Sequence, residues 1–126
     1  MTGVQTCALP ISARDADLIL NASASHHARG KIAERKALIT GLKGKNDAYY
    51  LYTNLLGNES GRVIFDGEIL FGNDGELLSA STRFGMEDVV VQTFELEASN
   101  QKPRIDLAEE DDFEDFTAAC SLGLRM

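Results

Sequence analysis

A chain of 126 residues is long enough for one small core and too short for two full domains. Apolar residues make up 44% and charged residues 25%, as in ordinary soluble proteins, and no apolar run reaches the roughly 18 residues of a membrane helix. The net charge of −8 is concentrated in residues 106–115, DLAEEDDFED, which leaves a nearly neutral body that is poorly suited to nucleic acid.

The first twelve residues, MTGVQTCALPIS, show no periodicity, and no basic residue precedes their apolar part as a signal peptide requires. They resemble translated sequencing-adapter DNA, so we interpret residues 1–12 as a non-native leader; a short natural leader is the alternative. The cysteines Cys7 and Cys120 stand far apart and form no CxxC, which disfavours a disulfide framework and a zinc cluster. We therefore expect a cytoplasmic protein.

A strand, a loop and a helix are predicted for the first third of the chain. Residues 17–21 are a short apolar run typical of a buried strand, and the small polar residues up to His27 predict a loop. Residues 29–43 predict a helix ended by Gly44, with its apolar side chains on one stripe. The predicted inward positions of this helix are Ile32, Ala33, Leu38, Ile39 and Leu42, and the outward ones are Arg35, Lys36 and Lys43.

Strands predominate in the middle of the chain. Residues 48–54, AYYLYTN, are aromatic and apolar, which is typical of a buried strand. Asp74-Gly75 between two apolar runs is a strong hairpin signal, because both residues tolerate the positive φ of a tight turn. The strands predicted after residue 54 are residues 62–65, 68–72, 76–81 and 89–96.

The last segment predicts a linker and then a helix. Residues 98–104 are polar and include Pro103, and residues 111–124 show helical periodicity after an acidic first turn. The helix face predicted to pack inward holds Phe113, Phe116, Cys120 and Leu124. Cys120 is therefore predicted to be a small core residue and not a reactive thiol. The order of elements predicts an α/β fold with a mixed sheet.

Several short motifs occur in one order along the chain. They are ADLILNASASHH at 16–27, YLYTNLLG at 50–57, FDG at 65–67, DGE at 74–76, STRF at 81–84 and Asp88-Val89. Together they resemble the glutaminase domain of glutamine-dependent NAD synthetases, a branch of the nitrilase (carbon–nitrogen hydrolase) superfamily. The tail at 113–124 resembles the helix that leads into the synthetase domain of that family. The resemblance divides the chain into the leader, the C-terminal half of a glutaminase domain at 13–98, and a linker with the start of a helix at 99–126.

The resemblance implies part of a nitrilase-like α-β-β-α sandwich, in which a mixed sheet is flanked by helices, and the part is incomplete. It also implies an amidase that hydrolyses glutamine to supply ammonia for the ATP-dependent amidation of nicotinic acid adenine dinucleotide to NAD. The expected partners are glutamine, the N-terminal half of the glutaminase domain, the synthetase domain and further copies of the complete protein. ATP and Mg are expected in the synthetase domain, and no cofactor is expected in this fragment.

The family hydrolyses glutamine with a Glu–Lys–Cys triad, which the resemblance places ahead of this segment. Cys7 lacks the acidic neighbour of the family's nucleophile, so we assign no catalytic residue and expect the fragment by itself to be inactive.

Two family positions map onto the chain, and the resemblance implies that both bind substrate. Ser25 and Lys31 match the serine and the basic residue that hold the α-amino and α-carboxylate ends of glutamine, and a hydroxyl and an ammonium suit those groups. From the residues alone, Ser25 could cap the following helix and Lys31 could be a solvated helix lysine. His26-His27 has no third ligand nearby, which disfavours a metal site. Asp66-Gly67 is interpreted as turn geometry.

Two alternatives to the NAD synthetase interpretation stay open. A stand-alone amidase of the same superfamily would need the same upstream triad and would have no synthetase domain after it. A non-catalytic interaction module would use the acidic tail as its docking element.

Overall fold

The computed structural model describes residues 16–44, 48–94, 96 and 112–124. The predicted leader at 1–12 with Cys7, and the predicted linker at 98–104, lie outside these residues. The described part contains six strands and two helices. They are β1 (Leu18–Ser23), α1 (Lys31–Thr40), β2 (Tyr49–Asn54), β3 (Leu56–Glu59), β4 (Val63–Asp66), β5 (Ile69–Asn73), β6 (Glu76–Ala80) and α2 (Asp112–Leu124).

Four strands form one mixed sheet in the order β1-β2-β5-β6, and β3 and β4 form a separate antiparallel ribbon. β1 and β2 are parallel, whereas β2–β5 and β5–β6 are antiparallel. Parallel neighbours need a crossover connection, and α1 provides it between β1 and β2. The predicted α/β fold with a mixed sheet and helices is confirmed.

The core lies between α1 and one face of this sheet. β2 alternates in burial along YYLYTN, so that Tyr50 and Tyr52 face the helix and join Ile39 and Leu70 in the core. Gly72 on β5 lets the helix approach, because a Cβ there would collide with Ile39. The predicted inward stripe of α1 is confirmed at Ile32 and Ile39, and at Leu42 just after the helix, which are all buried, but it is wrong at Ala33, which is exposed.

The opposite face of the sheet is partly covered by the segment that follows β6. Phe71 stacks on Tyr49 at 5.4 Å and on Phe94 at 4.5 Å between ring centroids. The strand predicted at 89–96 is wrong, since the described residues 89–94 and 96 form no strand. Val91 is 83% exposed. A valine-rich run favours a strand only where a neighbouring strand is available for pairing and packing.

The turn predicted at Asp74-Gly75 is confirmed. Both residues have positive φ, 44° and 78°, as the tight β5–β6 hairpin requires. The Asp74 carboxylate also accepts a hydrogen bond from the Gly44 amide at 2.7 Å, which ties the hairpin to the end of α1. α1 itself is shorter than predicted, because Gly30 with φ 82° precedes its first residue and Gly41 follows its last.

α2 is confirmed as a helix, but the face predicted to pack inward is wrong. Ala119 and Leu122 are buried against Phe84 and the β3–β4 ribbon. The four residues of the predicted face are all exposed: Phe113, Phe116, Cys120 and Leu124. Apolar residues surround most of this helix, so periodicity alone cannot select the packed face. Neither described helix is long and apolar enough to cross a membrane.

Candidate functional site

The loop that contains Ser25 lies where two parallel strands end side by side. β1 ends at Ser23 opposite Asn54, the last residue of β2. The Ser25 amide donates to Asn54 Oδ1 at 2.8 Å, and Asn54 Nδ2 donates to the Ser25 carbonyl at 2.8 Å. Ser25 does not cap α1, because the N-cap is Gly30 and no side chain caps the helix. The capping alternative is therefore wrong.

Arg35 reaches the same loop from α1. Its Nη2 donates to the Ser25 carbonyl at 3.0 Å and to Ser25 Oγ at 3.3 Å. Its Nη1 donates to Asp66 Oδ2 at 2.5 Å and to Glu68 Oε2 at 3.1 Å. Arg35 is only 3% exposed, so the prediction that it faces solvent is wrong. Two carboxylates compensate its buried charge, and the planar guanidinium can bond to them and to the loop together.

Asp66 is fully buried at the end of β4 and joins these groups. Its Oδ1 accepts from Asn54 Nδ2 at 2.7 Å and from the Glu68 amide at 3.2 Å, while its Oδ2 accepts from Arg35. Asp66 is thus more than a turn residue, and the turn geometry belongs to Gly67, whose φ is 71°. Two acids flanking one glycine between apolar strands, FDGEIL, were the signal in the sequence for a buried acidic pair.

Burial and mutual contact shift the pKa values in this cluster. Desolvation raises the pKa of Glu68, the nearby Asp66 charge raises it further, and Arg35 opposes the shift. Burial is the largest single effect and would lower the pKa of Arg35, but the interactions with Asp66, Tyr52 and Glu68 together raise it. Burial likewise raises the pKa of Tyr52, whose ring lies 5.8 Å from the Arg35 guanidinium. The arginine therefore stays charged, and Glu68 is the carboxyl whose ionisation burial opposes.

A second arginine extends the cluster to α2. Arg83 Nη2 donates to both carboxylate oxygens of Asp115, at 2.7 and 2.9 Å, and Arg83 Nη1 lies 4.0 Å from Glu68 Oε1. We call Arg35, Asp66, Glu68, Arg83 and Asp115 the ionic cluster. It connects the Ser25 loop, the β4–β5 turn and the C-terminal helix.

Lys31 is the first residue of α1 and lies at the other end of the loop that contains Ser25. Its Nζ donates to Glu34 Oε2 at 2.9 Å, and this hydrogen bond lowers the pKa of Glu34. The Lys31 side chain is one-third exposed. Its contact with Glu34 is that of an ordinary helix lysine, and substrate binding by Lys31 stays a prediction.

The two histidines of the loop differ in their surroundings. His26 is exposed, whereas the His27 ring packs edge-on against Phe84 at 4.8 Å, with its Nδ1 3.6 Å from Asp66 Oδ2. Within the described ranges, no group of three or more His, Cys, Asp or Glu residues could hold a metal ion.

Two cavities lie on either side of α2. One, of about 220 Å³, is lined by Glu68, Arg83 and Asp115 among others, and one, of about 560 Å³, lies beside His27 and Phe116. Ser25 and Lys31 line neither of them.

Comparison with known proteins gives one consistent result, although no family model matches the chain. The glutamine-dependent NAD(+) synthetase of Mus musculus is 35% identical over 64% of the chain, and that of Homo sapiens is 32% identical over 64%. The crystal structure of a glutamine-dependent NAD(+) synthetase from Cytophaga hutchinsonii is 46% identical over 58% of the chain, with a TM-score of 0.54. The homologues of this chain are glutamine-dependent NAD(+) synthetases.

The predicted resemblance to NAD synthetases is confirmed by these relatives. The chain spans only a small part of them, 11% of the mouse protein, 12% of the human protein and 13% of the Cytophaga hutchinsonii chain. The homology therefore concerns one segment of the NAD synthetases.

Proposed function

We propose that this chain belongs to the glutaminase part of a glutamine-dependent NAD synthetase and forms one wall of its glutamine site. The 46% identity to the Cytophaga hutchinsonii enzyme carries the proposal. The fixed position of the Ser25 loop supports it, because substrate-binding groups are usually held on loops by a rigid scaffold.

Ser25 and Lys31 have the chemistry to hold the two charged ends of an amino acid. The Ser25 hydroxyl can give or accept a hydrogen bond, and the Lys31 ammonium can leave Glu34 to pair with a carboxylate. The nucleophile and its two partners would come from residues outside the described part.

We also propose that the complete protein contains a synthetase domain that uses ATP and Mg. The complete protein is further proposed to associate with copies of itself and to be cytoplasmic. The described residues do not fit a magnesium site, since the carboxylates of the ionic cluster are taken up by arginines. No step of the proposed glutamine hydrolysis is assigned to a metal in this segment.

The test uses the protein made from the complete reading frame that encodes this chain. Ser25→Ala and Lys31→Met are each expected to raise the KM for glutamine about tenfold, because each removes one hydrogen bond to a charged end of the substrate. NAD formation with ammonia in place of glutamine is expected to stay unchanged. Steady-state ammonia release and NAD formation measure the two effects.

Ser121→Ala and Lys43→Met are the matched controls, because both side chains are exposed and lie away from the Ser25 loop. They are expected to keep the wild-type KM. An unchanged KM for glutamine in both Ser25→Ala and Lys31→Met would contradict the proposed substrate contacts. A complete protein that releases no ammonia from glutamine would contradict the function itself.

A further inference from the structure

Two side chains, those of Asn54 and Arg35, together bond to all three polar atoms of Ser25. Asn54 bonds to both the amide and the carbonyl of Ser25, each at 2.8 Å. Arg35 bonds to the same carbonyl and to the hydroxyl. The position of the hydroxyl therefore depends on how Asn54 and Arg35 are themselves oriented.

One residue orients both of them. Asp66 receives Asn54 on Oδ1 and Arg35 on Oδ2, so the two oxygens of one carboxylate fix the two side chains. The Asp66 side chain is itself fixed, because Oδ1 also accepts from the Glu68 amide and the residue is fully buried. A buried carboxylate that bonds a different side chain with each of its oxygens allows little freedom in either side chain.

We infer that Asp66 is the positioning residue of the site: it acts through Arg35 and Asn54 to set the Ser25 hydroxyl for the substrate. This inference rests on the proposed function, since it takes Ser25 as a glutamine contact. Asp66 is fully buried, so its role differs from that of a catalytic residue that touches the reacting atoms.

Arg35 also restricts the directions in which the Ser25 hydroxyl can bond to a ligand. Arg35 Nη2 donates to Ser25 Oγ at 3.3 Å, so the guanidinium occupies one acceptor direction of the hydroxyl and places a positive charge beside it. The hydrogen of the hydroxyl is left to be donated. The hydroxyl also keeps one lone pair, so it can bond to the ligand from the side away from Arg35.

The first test is a double-mutant cycle in the protein made from the complete reading frame. Asp66→Asn and Arg35→Lys are each expected to raise the KM for glutamine about tenfold, with a smaller change in kcat, because they remove binding and not chemistry. In a Ser25→Ala background the same changes are expected to raise KM by less than about threefold. An equal rise in both backgrounds would overturn the inference, because Asp66 would then act elsewhere.

Asp74→Asn is the matched control for the loss of an aspartate charge. Asp74 is exposed in the β5–β6 turn, and asparagine tolerates its φ of 44°. The variant is expected to keep the wild-type KM.

A second test is independent of activity and separates this inference from the proposed function. Hydrogen exchange of the Ser25 amide, which bonds to Asn54, is expected to be at least about tenfold faster in Asp66→Asn and in Arg35→Lys, with β2 still protected. Unchanged exchange at Ser25 in a folded variant overturns the inference. If Asp66→Asn does not fold, both the KM measurement and the hydrogen-exchange measurement are made on Arg35→Lys, which keeps the positive charge. Faster exchange together with an unaltered KM in Ser25→Ala shows that the proposed substrate contact has failed, while Asp66 still positions the loop.

Discussion

Arg35 is a charged side chain that is buried in the fold. It lies on the polar side of the α1 sequence pattern, yet it is buried because its guanidinium reaches two carboxylates and the Ser25 carbonyl. Its carboxylate partners stand 31 and 33 residues away in sequence. Helical periodicity carries no information about such distant partners, and for this reason the sequence predicts a solvated arginine.

The same reason explains which candidate site residues can be suggested from the sequence. Ser25 and Lys31 are accessible to prediction because they belong to a motif that resembles a family. The roles of Asp66 and Asn54 depend on hydrogen-bond partners that only the folded chain brings close to them. From the sequence alone, Asp66 is a turn residue and Asn54 is the end of a strand.

Glu68 gives the ionic cluster a measurable pH dependence. Its folded-state pKa is raised above the ordinary value of 4.5 by burial, so the folded state binds its proton more tightly than the unfolded chain does. The stability that Glu68 contributes is therefore present below pH 4.5 and is lost as the pH rises through the raised pKa. The glutamine in Glu68→Gln cannot ionise, so this variant does not lose that stability as the pH rises.

We expect the wild-type chain to lose free energy of unfolding relative to Glu68→Gln as the pH increases from about 4.5. Urea unfolding of both proteins across a pH series, followed by circular dichroism, measures the difference. A difference that is constant with pH would contradict the raised pKa.

At the level of elements, the strands and helices are largely predictable, while their packed faces are not. The hairpin at Asp74-Gly75 can be predicted because both residues tolerate positive φ. β2 can be predicted from its aromatic and apolar residues, whose burial alternates along the strand. The packed face of α2 carries Ala119 and Leu122 against Phe84 and the β3–β4 ribbon, and Asp115 on the same helix binds Arg83. A long-range ion pair of this kind has no signature in the helical pattern.

Substitutions of two leucines in α2 distinguish the packed face in the structure from the face predicted from the sequence. Leu122 is buried, so Leu122→Ala is expected to lower the free energy of unfolding by about 2–5 kcal/mol through lost burial and a cavity. Leu124 is 83% exposed, so Leu124→Ala is expected to stay within about 0.5 kcal/mol of wild type. Urea unfolding measures both, and a larger loss in Leu124→Ala would favour the face predicted from the sequence.

For the whole molecule, the mixed sheet agrees with the fold class predicted from the element order and with the Cytophaga hutchinsonii enzyme. The layer arrangement could be predicted because strands, helices and turns have local sequence signals. The ionic cluster that joins the Ser25 loop to α2 could not, because it assembles residues from four separate parts of the chain.

We propose that the Ser25 loop, which Asp66 holds through Arg35 and Asn54, contacts glutamine. The most direct measurement is a crystal structure of the protein made from the complete reading frame, with a non-hydrolysable glutamine analogue bound. We expect a polar atom of the α-amino or α-carboxylate group of the analogue within hydrogen-bonding distance of Ser25 Oγ, with the Asn54 and Arg35 contacts to Ser25 retained. An analogue bound away from Ser25, or a Ser25 loop detached from Asn54 and Arg35 in that complex, would contradict the claim.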